Sequence, residues 1–172
     1  MELWDLIDEN REPLNRTHIR GEKMTLGEFH TVVCVWTANS KGEVLLTLRD
    51  PNKDEYPGKW ENTAGSAIAG EGSRAGAVRE LWEETGIRAS ESELIFLGTR
   101  KEKYQFADTY LVHRDLPIGE LTLLEGETVD AQWVTIEKLD EMTAKGLMAK
   151  PVVERLKEFR EEFEKQVSGR KR

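Results

Sequence analysis

Three glutamates, Glu80, Glu83 and Glu84, crowd into one helical turn of the stretch that runs from Gly65 to Ile87. The segment from Ser73 to about Thr85 reads as a helix, and Gly86 is placed to stop it by taking a positive φ. On that helix Glu80 and Glu84 share a face at the i,i+4 spacing, and Glu83 adjoins Glu80 at i,i+3. All three sit near the helix C-terminus, where the macrodipole disfavours negative charge. Each like-charged pair costs ~0.2–0.5 kcal/mol, and the dipole adds ~0.3–1 kcal/mol per charge. A divalent cation offsets that cost. Several hard oxygen ligands on one rigid element suit Mg²⁺, with Mn²⁺ as a substitute. The competing reading is an ordinary solvated acidic helix face.

The wider pattern separates the two. Gly65, five residues, Glu71, seven residues, then Arg79-Glu80-Leu81, one residue, Glu83-Glu84, one residue and Gly86-Ile87 resembles the Nudix box at every fixed position. The resemblance to Nudix hydrolases extends less sharply from about Phe29 to Val134. It implies an α/β fold, the Nudix α/β/α sandwich with a mixed sheet. It also implies metal-dependent hydrolysis of a diphosphate linked to another moiety, by water attack at phosphorus. On that resemblance Glu80, Glu83 and Glu84 are the metal ligands, Gly65 turns the loop so that its carbonyl joins them, and Glu83 and Glu84 serve the chemistry. Glu71 and Arg79 form the structural half of the box, an ion pair pinning loop to helix, with Arg79 orienting a ligand carboxylate. Leu81 and Ile87 read as core contacts. Ala75, Gly76 and Ala77 are small enough to let the helix approach a sheet.

Hydrolysis needs a base, and many Nudix enzymes carry a further Glu before a late strand that ends in Trp. Glu127, six residues before Trp133, is the candidate for that role, with Glu102 second; a solvated loop acid is the alternative for Glu127. Arg49 leaves its strand toward the box, and two readings stand side by side: a substrate-phosphate contact, or a surface ion pair with Asp50 or Asp54. Tyr104 falls where dinucleoside-polyphosphate hydrolases carry a base-stacking Tyr. The segments DENREPLNRT, FHTVVCVW and YPGKWENTAGS resemble the isopentenyl-diphosphate isomerase branch of the superfamily. Those isomerases place a catalytic Cys and a metal-binding His just after PGxW, and Thr63-Ala64-Gly65-Ser66-Ala67 contains neither. His30 matches one of that branch's His ligands in position but has no companions, and His18 has no acidic or His partner at ligand spacing. The hydrolase is therefore the leading reading, ahead of an isomerase and of a non-catalytic nucleotide-sensing module.

Composition bounds the partners. The net charge of −8, from 25 basic and 33 acidic residues, argues against a nucleic-acid polymer, which wants a basic face. It leaves room for an anionic small molecule, here a nucleotide-derived diphosphate, whose charge a metal neutralises locally. The longest apolar runs, such as Thr31–Thr37, are too short to cross a bilayer. The opening Met1-Glu2-Leu3-Trp4-Asp5 lacks a basic leader region, so a cytoplasmic protein is expected. Cys34 is the only cysteine, which excludes an internal disulfide and a cysteine-based zinc cage.

These residues need elements to hold them. Residues 2–7 read as a strand, Asp8–Pro13 as a turn and Leu14–Arg20 as the returning strand, a hairpin that serves either as a dimer element or as a flap on its own domain. Phe29–Thr37 and Glu43–Arg49 read as the next two strands, Asp50–Trp60 as a rim loop, and Trp60 as a core plug. Leu94–Arg100, Thr109–His113 and Ala131–Thr135 read as strands, with Lys101, Lys103 and Tyr104 in a connection, Leu116–Glu127 as a loop and Ile136–Lys145 as a short helix. Val152, Leu156, Phe159, Phe163 and Val167 form the stripe of a C-terminal amphipathic helix. One domain is expected over 1–172: an N-terminal hairpin extension over 1–27, a core over 28–148, and a C-terminal helix and tail over 149–172. The basic residues 168–172 read as a frayed end.

Overall fold

The computed structural model describes residues 1–169; the basic end expected over 168–172 lies, from 170 onward, outside the described residues. Strands β1 (Leu3–Ile7) and β2 (Pro13–Ile19) pair antiparallel as a hairpin. Asp8 shapes its turn, its Oδ1 accepting from the backbone N–H of Asn10 at 2.8 Å and of Glu12 at 2.9 Å. A short acidic side chain here stands in for a backbone carbonyl. A second hairpin joins β3 (His30–Ala38) to β4 (Glu43–Arg49). Asn39 closes it, its Oδ1 accepting from the N–H of Lys41 and Glu43 at 3.0 Å each.

β3 and β4 pair only at Ala38↔Val44 and then part. β6 (Thr63–Ser66) takes the freed edge of β3, and β5 (Trp60–Glu61) takes that of β4. Asn62 sits buried in the fork and donates from Nδ2 to the Val35 carbonyl at 3.4 Å. The sequence pattern predicts neither β5 nor β6, since runs this short show no period. Their consequence is large, because they carry Gly65 into the gap between the two splayed strands.

β7 (Ile95–Lys101), β8 (Gln105–His113) and β9 (Thr128–Thr135) complete the sheet. β8 runs parallel to β3 and antiparallel to β7, and β9 runs antiparallel along β4, which makes the sheet mixed. Both β8 and β9 begin earlier than the apolar pattern indicates, because ladder bonds to β3 and β4 recruit residues that their side chains alone would not.

Alternation along the strands builds two apolar faces. Val33, Val35 and Leu45 pack with Ala77 and Leu81 of α1 (Ser73–Thr85). Trp36, Ala38, Val44 and Leu46 point the other way, against α2 (Ile136–Ala144) and α3 (Lys150–Ser168). Val152, Leu156, Phe163 and Val167 are the buried stripe of α3, with Phe159 partly covered. Trp36 meets Phe163 edge-on, ring centroids 4.8 Å apart. Helices on both faces of one sheet give the expected α/β/α layering.

The N-terminal hairpin folds back onto its own chain. Ile7 and Phe29 exchange backbone hydrogen bonds at 2.9 and 3.0 Å. Ala69 N–H donates to the Leu3 carbonyl at 2.8 Å, and Gly70 N–H to Asp5 Oδ2 at 2.7 Å. Arg11 grips buried Asp108 of β8 with both terminal nitrogens, at 2.7 and 2.8 Å. The Trp4 ring stacks on His30 with centroids 3.9 Å apart.

Candidate active site

Helix α1 ends as its sequence indicates. Gly86 adopts φ 75°, and its N–H caps the Trp82 carbonyl at 2.8 Å. At the other side of the site, Gly65 lies on β6 opposite Val33. The Glu80 carboxyl group rests so close over it that a Cβ built on Gly65 would overlap the carboxyl atoms. A side chain at this position would push the Glu80 carboxyl group aside. The neighbouring Ala64 backbone gives a hydrogen bond to the Glu84 carboxylate, so Glu80 and Glu84 both lie against β6.

Arg79 organises the box. Its Nε and Nη2 reach the two Glu71 oxygens at 2.9 Å each, and Nη2 also donates to the Ser66 carbonyl at 2.9 Å. Nη1 donates to Glu80 at 2.8 Å and to Glu83 at 3.0 Å. One guanidinium thus ties loop to helix, as the sequence indicates, and holds two further acids in place. Glu83 is drawn aside by this contact, and its side chain is 41% exposed against 15% for Glu80.

The residue that sequence reasoning missed is Glu61. It stands on two-residue β5, four positions before Gly65, where no periodicity marks it. Its carboxylate accepts from Arg49 Nη1 through both oxygens at 2.9 Å, while Arg49 Nε donates to the Glu55 carbonyl at 2.9 Å. The ion pair of Arg49 is therefore with Glu61, and not with Asp50 or Asp54. Glu127 flanks the same space: its carbonyl accepts from Asp50 N–H at 2.9 Å and its carboxylate pairs with Lys53. Burial pushes the Glu61 carboxyl up despite Arg49. Burial pushes Glu84 well above the ordinary carboxylate range, and the charges of Glu61, Glu80 and Glu127 push it further. Glu80 is raised too, by burial first, with Arg79 pulling the other way.

The charges of Glu61, Glu80 and Glu127 all bear on Glu84, and that of Glu83 on Glu80, which makes this an acidic neighbourhood. Among the described residues no group of three or more His, Cys, Asp or Glu is gathered tightly enough to cage an ion, and Arg79 holds both Glu80 and Glu83. The donor set nevertheless fits a hard divalent cation. It is all oxygen, Glu80 lies over a glycine, and the charges of Glu61, Glu80 and Glu127 add to one another at Glu84.

Other sequence candidates lie elsewhere. Glu102 is held by Arg155 of α3 at 2.8 and 2.9 Å, on the opposite side of the sheet beside Cys34. Tyr104 sits in the β7–β8 turn under the Lys103 ammonium, its carbonyl accepting from His30 N–H at 3.1 Å. His18 contacts Trp4 and the Glu22 carbonyl.

A NUDIX domain model matches residues 28–161. The chain belongs to the Nudix hydrolases. An uncharacterized Nudix hydrolase of Listeria monocytogenes is 41% identical over 152 residues, 85% of this chain and 87% of its own length. Isopentenyl-diphosphate Delta-isomerase of Streptomyces avermitilis is 29% identical over 151 residues, 83% and 76% of the two chains. A crystal structure from Deinococcus radiodurans shares the fold with a TM-score of 0.72 at 22% identity, covering 87% of this chain and 93% of that one. A bifunctional NMN adenylyltransferase/ADP ribose pyrophosphatase of Francisella tularensis, complexed with AMP and a manganese ion, does so at 0.63 and 15%, over 83% and 43%. This Nudix protein is accordingly a hydrolase of pyrophosphate bonds, in a family that works with a divalent metal. Among the described residues no helix is long and apolar enough to cross a membrane.

Proposed function

We propose that this Nudix hydrolase cleaves the diphosphate of a nucleoside diphosphate linked to another moiety, by water attack at phosphorus, with Mg²⁺ as its cation and Mn²⁺ as a substitute. The observation that carries the reading is the assembled box, in which Glu80 lies over Gly65 and one guanidinium, Arg79, joins Glu71, Glu80 and Glu83. Glu80, Glu83, Glu84 and the Gly65 carbonyl would hold the ion. When bound it supplies charge neutralisation at the phosphate oxygens and a more acidic water. Glu83, exposed and held by a single Arg79 contact, has the freedom to turn inward. Arg79 keeps Glu80 oriented from outside the ligand set. Glu127, once parted from Lys53, would accept a proton from the attacking water. Arg49, fixed at the rim by Glu61, offers its charge to the substrate phosphate. Tyr104 has no place in this scheme. We read the hairpin as a flap on its own domain, a use that leaves pairing of two copies through its outer face open to measurement. The cytoplasm, with nucleotides and Mg²⁺, suits such an enzyme.

A panel of nucleoside diphosphate derivatives, with Mg²⁺ or Mn²⁺ and release of phosphate or nucleotide as readout, tests the activity. Glu83→Gln and Glu84→Gln should each abolish turnover; undiminished rates in both variants would sink the ligand assignment. Likeness to an isomerase makes isopentenyl diphosphate the second substrate to try. No isomerisation is expected, since residues 63–67 hold neither Cys nor His and Cys34 is buried.

A further inference from the structure

The cations around the acidic pocket are mostly committed. Arg79 is spent on Glu71, Glu80 and Glu83, Arg49 on Glu61, and Lys53 on Glu127. Arg20, at the open end of the N-terminal hairpin, differs. Its side chain is 65% exposed and its ion-pair partner is Glu2, 2.8 Å away across the hairpin, not an acid of the pocket. The position of that end is set by backbone. Arg20 N–H donates to the Glu2 carbonyl at 3.0 Å, and the next residue of β1, Leu3, accepts from Ala69, four residues beyond Gly65. The hairpin's open end is therefore docked on the loop that enters the box. The hydrogen bond to Glu2 holds the Arg20 guanidinium more firmly charged, and the charges of Glu127 and Glu80 act in the same direction. Glu2 in turn adds to the repulsion at Glu80.

An anionic substrate entering this pocket meets a surplus of carboxylates. A guanidinium on a long, exposed stem, paired with a neighbour on its own hairpin, can turn to the substrate at little cost. Its planar fork matches a phosphate better than it matches a single carboxylate contact. We propose that Arg20 is a substrate-binding residue: it exchanges Glu2 for the phosphate of the bound diphosphate that lies away from the box, so the hairpin sets affinity for charged substrates. This rests on the hydrolase reading above.

The test is steady-state kinetics on the full chain with the best substrate of the panel, alongside calorimetry with α,β-methylene-ADP and Mg²⁺. Arg20→Ala should raise KM and Kd by about ten-fold while kcat stays within about two-fold. Arg20→Lys should recover part of the loss. Glu2→Gln, which frees Arg20, should leave KM equal or lower. Arg16→Ala is the control on the same hairpin, since Arg16 faces Glu28 instead, and should change nothing. An unchanged KM in Arg20→Ala overturns the proposal. So does a rise in Glu2→Gln equal to that in Arg20→Ala, because the ion pair would then matter only as structure. Wild-type protein that turns over no member of the panel would defeat the hydrolase reading itself, a result distinct from either.

Discussion

Gly65 shows how a single position joins fold to chemistry. It looks like a turn residue in the sequence, yet in the structure its bare Cα leaves the space that the Glu80 carboxyl group occupies. Gly65→Ala should leave the sheet intact while displacing Glu80, lowering metal affinity about 10–100-fold. A Mg²⁺ titration followed by activity checks this, and wild-type affinity in the variant would contradict it. Glu80, Glu83, Glu84, Glu71 and Arg79 were legible because helical spacing and the box pattern name them. Glu61 was not: its partner is Arg49 on the neighbouring strand, and nothing local in the stretch WENTAG reports that neighbour.

Among the elements, the hairpin depends on contacts far away in the chain. Asp108 is buried, and burial alone would raise its pKa; hydrogen bonds from Arg11, Ser73 and Thr99 win and hold it below the ordinary carboxylate range. Its contribution to stability is therefore complete above the unfolded value of 3.8 and is lost as pH falls through the lower folded value. Arg11→Ala leaves a buried acid without its cation. Because Arg11 is itself 36% exposed, the expected loss is about 1–3 kcal/mol and not the full cost of a buried pair. Urea unfolding at pH 7 measures the loss, and the same experiment at pH 3 should show a smaller gap between variant and wild type. On the other face, Phe163→Ala should cost about 3–5 kcal/mol, since Phe163 is fully buried against Trp36. A change under 1 kcal/mol would mean that α3 is not part of the cooperative core.

At the scale of the whole molecule, protons and metal ions should both set stability. Burial against Trp4 keeps His30 neutral, its pKa lowered to about 4 from 6.5. The folded state resists protonation that the unfolded chain accepts, so stability is complete above pH 6.5 and falls as pH drops from 6.5 to about 4. The span is worth about 3 kcal/mol. Melting curves across that range should steepen in wild type and flatten in His30→Gln. Mg²⁺ at a hundred-fold excess over its Kd should stabilise the protein by about 2.7 kcal/mol. Glu84→Gln should remove most of that gain, and an equal shift in both proteins would place the ion elsewhere.

Periodicity and spacing alone determined the strands β3 and β4, the helix α1 with its cap and the stripe of α3, and the resemblance to the Nudix box singled out its acids. These are local signals, written at intervals of two, three and four residues that a chain imposes on itself. Tertiary structure alone decided that β3 and β4 part after one residue pair, that Glu61 meets Arg49, that Glu127 meets Lys53, and that the open end of the hairpin docks beside Ala69. Those are meetings between residues well separated along the chain. Their energy resides in burial and charge at the meeting point, and no short stretch of sequence carries a record of either.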